Sequence, residues 1–209
     1  MVISNINVYG LENAVRGSKF PMSTNLDSLN SDIVERTKKL GQSPIGAGHD
    51  NFLNGVIVQF DLTFTVKAWT EAERYHFFDF ISSQSTMHRI TQFNLDNAYI
   101  DYVDTRIIAI MREKIDDYNA IIDTNDDSYQ GLTEEELTNI KEEKKRKYLE
   151  ILYSNPCGFK LTAAMTTNYR QLKTIYHQRK NHRLPEWREF CEQIEQLPYF
   201  KELVLGEEA

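Results

Sequence analysis

Two polar residues near the C-terminus stand in an apolar pattern. Leu161, Met165, Asn168, Leu172, Ile175 and Arg179 follow one another at spacings of four and three. This spacing predicts a helix from Phe159 to Lys180 with all six residues on one face. The face is mostly apolar, so it is directed inward or at another subunit. An amide and a guanidinium there are costly unless something hydrogen-bonds them. In one reading Asn168 bonds nearby backbone and Arg179 snorkels to water from the helix end. In the other both line a pocket, Asn168 on a heterocycle edge or ribose and Arg179 on a carbonyl or phosphate.

The residues around these two carry a pattern of their own. Asn168, Arg170, Leu172, Ile175 and Arg179 match, position by position, the late signature of the flavin-dependent thymidylate synthases. That signature is Asn-x-Arg-x-Leu, an apolar residue three further on, then Arg four after it. The resemblance implies that Asn168 contacts a flavin and Arg179 the uracil of dUMP. Gly48-His49-Asp50 is similar to the family's Gly-His-Glu segment, which implies a flavin contact for His49. Asn54 and Gly55 stand where the family has Glu-His, and Ala14-Val15-Arg16 resembles its early Val-Arg segment.

The central motif of the family is Arg-His-Arg-x-x-Ser-x-Asn-x-x-Ser-x-Arg-Tyr, with a Gln three residues ahead. Here Gln84, His88, Arg89 and Asn94 fit it. By the resemblance His88, Arg89 and Asn94 bind the cofactor, FAD, and Gln84 the substrate. Met87 replaces the first Arg, Gln92 the first Ser, Asn97 the second Ser, Tyr99 the last Arg and Ile100 the Tyr. These changes fall on the chemistry. A cation beside the substrate ring stabilises developing charge, and each charge-assisted hydrogen bond to substrate is worth about 1.5–3 kcal/mol. No residue is assigned as catalytic.

The elements that position these residues can be read from local pattern. Val2, Ile3, Ile6 and Val8 suggest an opening strand, and one helix is expected from Ser31 to Leu40. Val56 to Phe64 alternates with a period of two, a strand continuing towards Val66. Thr70-Glu71-Ala72-Glu73 has the form of a capping box, predicting a helix through Tyr75, Phe78 and Ile81 towards Ser85. A second helix is expected over Thr105 to Ile122, and Thr133-Glu134-Glu135-Glu136 opens a charged helix to Tyr153. Its Glu142 to Lys147 block reads as a solvated face or a docking surface. Residues 123–131 form a polar loop or insertion. Asn155-Pro156 reads as a helix start, and Pro185 as the start of a last helix ending near Pro198. The fold class is α+β: one domain, 1–209, with a small, mostly antiparallel sheet flanked by helices.

Composition narrows the function. The chain has 209 residues, 41% apolar and 26% charged, with eleven Tyr and eleven Phe, enough for one well-buried core. A net charge of −7 argues against a nucleic-acid polymer as partner but allows a mononucleotide. Cys157 and Cys191 are too few for a disulfide framework or zinc site, and no His pair has metal-ligand spacing. No segment has the length and apolarity of a membrane span or a signal peptide, so a cytoplasmic protein is expected. Two readings follow from the resemblance. In the first, FAD and a dUMP-like pyrimidine nucleotide bind at a subunit interface of a homotetramer, with flavin-dependent methyltransferase chemistry where the altered motif permits it. In the second, a non-catalytic nucleotide-binding or protein-interaction protein of the phage accessory kind reuses the fold.

Overall fold

The computed structural model describes residues 2–121 and 131–206. They form two compact units, one of residues 2–83 with 162–206 and the other of residues 84–121 with 131–161. The expected loop at 123–131 lies outside the described residues except for Gly131.

The first unit is built on β1 (Ile3–Tyr9), β2 (Ile57–Thr65), β3 (Asp79–Ser83) and most of β4 (Lys160–Asn168). The sheet order is β1-β2-β4-β3, with β1 antiparallel to β2 and β3 antiparallel to β4. Period-two alternation decides β2. Val58, Phe60, Leu62 and Phe64 are buried, while the residues between them are half exposed. Burying such side chains stabilises by about 1.5–3 kcal/mol each. They pack against α8 (Pro185–Ile194), where the Phe64 ring meets Trp187 at 4.7 Å and Phe190 at 5.9 Å. Pro185 opens that helix as expected.

Several expected elements are corrected. The single helix from Phe159 to Lys180 is instead β4 followed by α7 (Tyr169–Arg179). Ala163, Met165 and Thr167 are buried in alternation, so the period of two prevails over the spacing of three and four. Asn168 is the residue where strand becomes helix, and the six positions do not share one helix face. The helix expected through Tyr75 to Ser85 is also absent. A shorter α3 (Val66–Ala72) begins earlier, capped by Thr65, whose Oγ1 accepts from Ala68 N at 3.1 Å. Phe77, at φ 58°, stops helical continuation, and the aromatic and β-branched residues after it form β3. Helix α1 (Leu11–Ser18) was not anticipated, and α2 (Glu35–Gly41) starts later than expected.

The second unit holds α4 (Thr86–Arg89), α5 (Thr105–Ala120) and α6 (Glu134–Ser154). The capping box at Thr133 forms, with Thr133 N donating to Glu136 Oε2 at 2.8 Å and Glu136 N donating to Thr133 Oγ1 at 3.3 Å. Asn155-Pro156 starts no helix. It makes a turn in which Phe159 N donates to Pro156 O at 3.0 Å, and Phe159 bridges to Tyr99.

Candidate functional site

In the second unit, the short helix α4 and the turn after it carry three of the expected cofactor residues, His88, Arg89 and Asn94. Gln84, Arg89 and Asn94, with Ser85, Gln92 and Phe93, line a cavity of about 370 Å³. Arg89 Nη1 donates to Gln92 Oε1 at 2.9 Å. A guanidinium carries five N–H donors, so most of its capacity remains for an anion or a carbonyl. Asn94 Oδ1 accepts from Asp96 N at 3.0 Å, fixing the turn and its own amide. His88 sits exposed on α4 and is not among the lining residues. Met87 is 61% exposed. Tyr99 is buried, with its ring 5.3 Å from Phe159 and its hydroxyl donating to Asn155 Oδ1 at 3.0 Å. Burial pushes its phenol up to about 12. The position where the family has its final Arg is thus core, not surface.

His49 and Asn168 are both in the first unit but line two different clefts. His49 lines one of about 560 Å³ with Arg36, Ser18 and Phe52. Asn168 lines one of about 280 Å³ with Asn54, His76, Arg170 and Gln171. The segment around the 3₁₀ turn Asn51–Gly55 contributes residues to both. Asn168 is the cap of α7, its Oδ1 accepting from Gln171 N at 2.8 Å, as the backbone-bonding alternative expected.

Arg179 does not snorkel. It is 6% exposed, donating from Nε to Tyr75 Oη at 2.6 Å and from Nη1 to Glu71 Oε2 at 3.1 Å. Its guanidinium lies over the rings of Tyr75 and Trp187, at 5.3 and 4.9 Å, and His182 Nε2 is 2.7 Å from Nη1. The hydrogen bond from Arg179 holds the Glu71 carboxyl below the usual range, assisted by Arg74 and Lys67 and opposed by burial.

A buried ionic cluster, not expected from the sequence, joins Lys173, Asp50 and Arg170. Lys173 and Asp50 are each 2% exposed and 2.8 Å apart. Lys173 Nζ also donates to the carbonyls of Gly41 and Ser43, at 2.8 and 2.5 Å, and Arg170 Nε reaches Asp50 Oδ1 at 3.1 Å. All three ammonium protons are used, which is the condition for tolerating a buried charge. The signal available in the sequence was a Lys set between Tyr169 and Tyr176 on the inward arc of a helix.

Two further arginines that could supply the charge missing from the motif are already paired: Arg106 lies 2.6 Å from Asp104 and Arg74 3.8 Å from Glu71. Cys191 is buried and its thiol is pushed up to about 12 by burial, which removes it as a nucleophile. Among the described residues no group of three His, Cys, Asp or Glu is arranged to hold a metal ion, and no helix is long and apolar enough to cross a membrane.

The sequence matches no protein-family profile, and no curated protein matches it. Solved structures do. The flavin-dependent thymidylate synthase ThyX from Helicobacter pylori, complexed with FAD and dUMP, superposes with a TM-score of 0.68 at 12% identity, over 98% of this chain and 97% of that one. A second structure of Helicobacter pylori ThyX with FAD and dUMP gives 0.65 at 12% identity, over 95% and 93%. The chain therefore has the fold of the flavin-dependent thymidylate synthases.

Proposed function

We propose that this protein binds FAD and a pyrimidine nucleotide of the dUMP kind, and that reductive methylation of dUMP is lost or strongly slowed. The observation that carries the reading is the cavity joining Gln84, Arg89 and Asn94, on a fold whose solved representatives hold FAD and dUMP. Its donor set suits a flavin ring system: a guanidinium and two amides around a volume at the lower end of ligand pockets. In this reading Arg89 and Asn94 hold the ring edge and Gln84 faces the nucleotide, and His88, exposed on α4, is assigned to the cofactor as well. Asn168 and His49 are assigned to the remainder of the cofactor, reached across a subunit interface in a homotetramer. FAD supplies a hydride donor when bound and reduced.

Arg179 enters this reading as a core residue that fixes α7, since its guanidinium is taken up by Glu71, Tyr75, His182 and Trp187. The loss of catalysis rests on Met87 and Tyr99. Met87 supplies no charge where the family has a cation, and Tyr99 is committed to the core. Two absent charge-assisted contacts remove about 3–6 kcal/mol if additive, on the order of a hundred- to ten-thousand-fold. We read the chain as one functional domain of a cytoplasmic protein of the phage accessory kind.

The experiment is a dUMP titration of FAD-loaded protein, followed by the flavin absorption band, together with complementation of a thymidine-requiring strain. A saturable spectral change without restored growth supports the reading. Restored growth overturns the loss of catalysis, and no spectral response overturns the nucleotide.

A further inference from the structure

A second cleft in the 84–161 unit has no part in that site. It is lined by Tyr118 of α5 and by Lys141, Lys144, Lys145, Tyr148 and Leu149 of α6, with a volume of about 300 Å³. The five α6 residues fall at i, i+3, i+4, i+7 and i+8, one face of the helix. The floor is aromatic, with the Tyr118 and Tyr148 rings 5.3 Å apart and the Lys144 ammonium 5.6 Å from the Tyr118 ring. The rim is cationic in a chain of net charge −7.

The neighbouring basic residues of α6 are neutralised, Arg146 by Glu150 and Lys147 by Asp117 at 3.0 Å. Lys141 and Lys145 make no ion pair among the described residues, although Glu142 and Glu143 lie beside them in sequence. Glu142 is one residue from Lys141 and Glu143 is two from each lysine, offsets at which helical side chains do not face each other; Glu142, three from Lys145, makes no ion pair with it among the described residues, so the cleft stays positive. The Tyr148 hydroxyl donates to Met87 O at 2.9 Å, so Tyr148 offers the cleft its ring and not its hydroxyl. Aromatic faces flanked by ammonium groups select a flat ring that carries a phosphate, because stacking and charge pairing are satisfied together.

We propose that this cleft is a second ligand site, for a monophosphate carried on a planar ring, the chemistry shared by nucleotides and aryl phosphates. The test is calorimetric titration of the full-length protein with AMP, phenyl phosphate and inorganic phosphate. The variants are Lys141→Ala/Lys145→Ala and, as a control in the other cavity, Arg89→Ala. The expected result is binding of at least one ring phosphate, weakened about tenfold by the double lysine variant and unchanged by the arginine variant. AMP binding tighter than phenyl phosphate identifies a nucleotide, and the reverse an aryl phosphate. Inorganic phosphate binding as tightly as both, equal affinity in the double lysine variant, or no heat from either ring phosphate overturns the proposal. Failure of FAD to bind leaves this result untouched, so the two readings fail separately.

Discussion

The Lys173 ammonium lies 2.8 Å from the Asp50 carboxylate, with both side chains 2% exposed. It ties α7 to the segment that carries His49, because the same ammonium also holds the carbonyls of Gly41 and Ser43. Two segments 123 residues apart in sequence are thus joined by one cation.

Replacing Lys173 with Met should destabilise the protein by about 3–5 kcal/mol, because it leaves a buried carboxylate and two buried carbonyls without their donor. Arg170, at 3.1 Å from the same carboxylate, sets the loss at the lower end. Denaturant midpoints of Lys173→Met, Asp50→Asn and the double variant measure it. The double variant should cost clearly less than the sum; strict additivity contradicts the coupling.

Stability should decline in acid in two steps. His182 is held below the ordinary histidine value, first by burial and then by Arg179, with Arg188 adding and Glu71 and Glu186 opposing. The unfolded chain therefore takes the proton first. The contribution is complete above the ordinary value of about 6.5 and is lost as pH falls below it towards the folded value. His177 acts in the same direction through burial, then Lys180 and Lys173. The Glu71 carboxyl is lowered by Arg179, so its contribution is lost further into acid, as pH falls from 4.5 through its folded value. Thermal melts from about pH 8 to about pH 3 follow this, and His182→Gln should reduce the first step, leaving the share of His177, without changing the second.

Tyr148 anchors the turn that carries Arg89. Its hydroxyl donates to Met87 O, and its own proton is held more tightly than usual, chiefly through burial and then Tyr118. Tyr148→Phe removes one hydrogen bond, about 0.5–1.5 kcal/mol. Amide exchange across 86–92 should quicken while exchange in β2 stays as it was. Equal effects in both places contradict a local anchor.

Met87 is 61% exposed, so Arg fits there without repacking. Met87→Arg should raise dUMP affinity about tenfold by adding one charge-assisted contact, read by titration of FAD-loaded protein. No gain places the nucleotide away from α4.

What could be read in the sequence was what local chemistry decides. The alternation of Val58 to Phe64 gave β2, the Thr133 capping box and Pro185 gave two helix starts, and the short polar turns gave boundaries. The stretch from Phe159 to Lys180 misled because Leu161 and Met165, four apart, fit both periods, and Leu172 and Ile175 continue the helical one in α7. Only pairing with β3, a tertiary fact, decides for the strand up to Asn168. Tyr75 to Ser85 misled for the same reason, since the positive φ at Phe77 has no sequence signal in a bulky residue. The joining of Gln84, Arg89 and Asn94 around one cavity followed the motif, because those residues lie within one short helix and its turn. The pairing of Asp50 with Lys173 is a long-range contact: the place of Lys173 between Tyr169 and Tyr176 hints at its burial, but no local pattern names its partner.

The proposed binding of FAD at the cavity of Gln84, Arg89 and Asn94 is open to a direct measurement. Titration of the purified protein with FAD, followed by quenching of flavin fluorescence, tests it with Arg89→Ala and Asn94→Ala alongside. Saturable binding to the natural chain is expected, weakened about tenfold or more by Arg89→Ala, with melting temperatures within a few degrees of the natural protein. Absence of binding, or equal affinity in both variants, contradicts it.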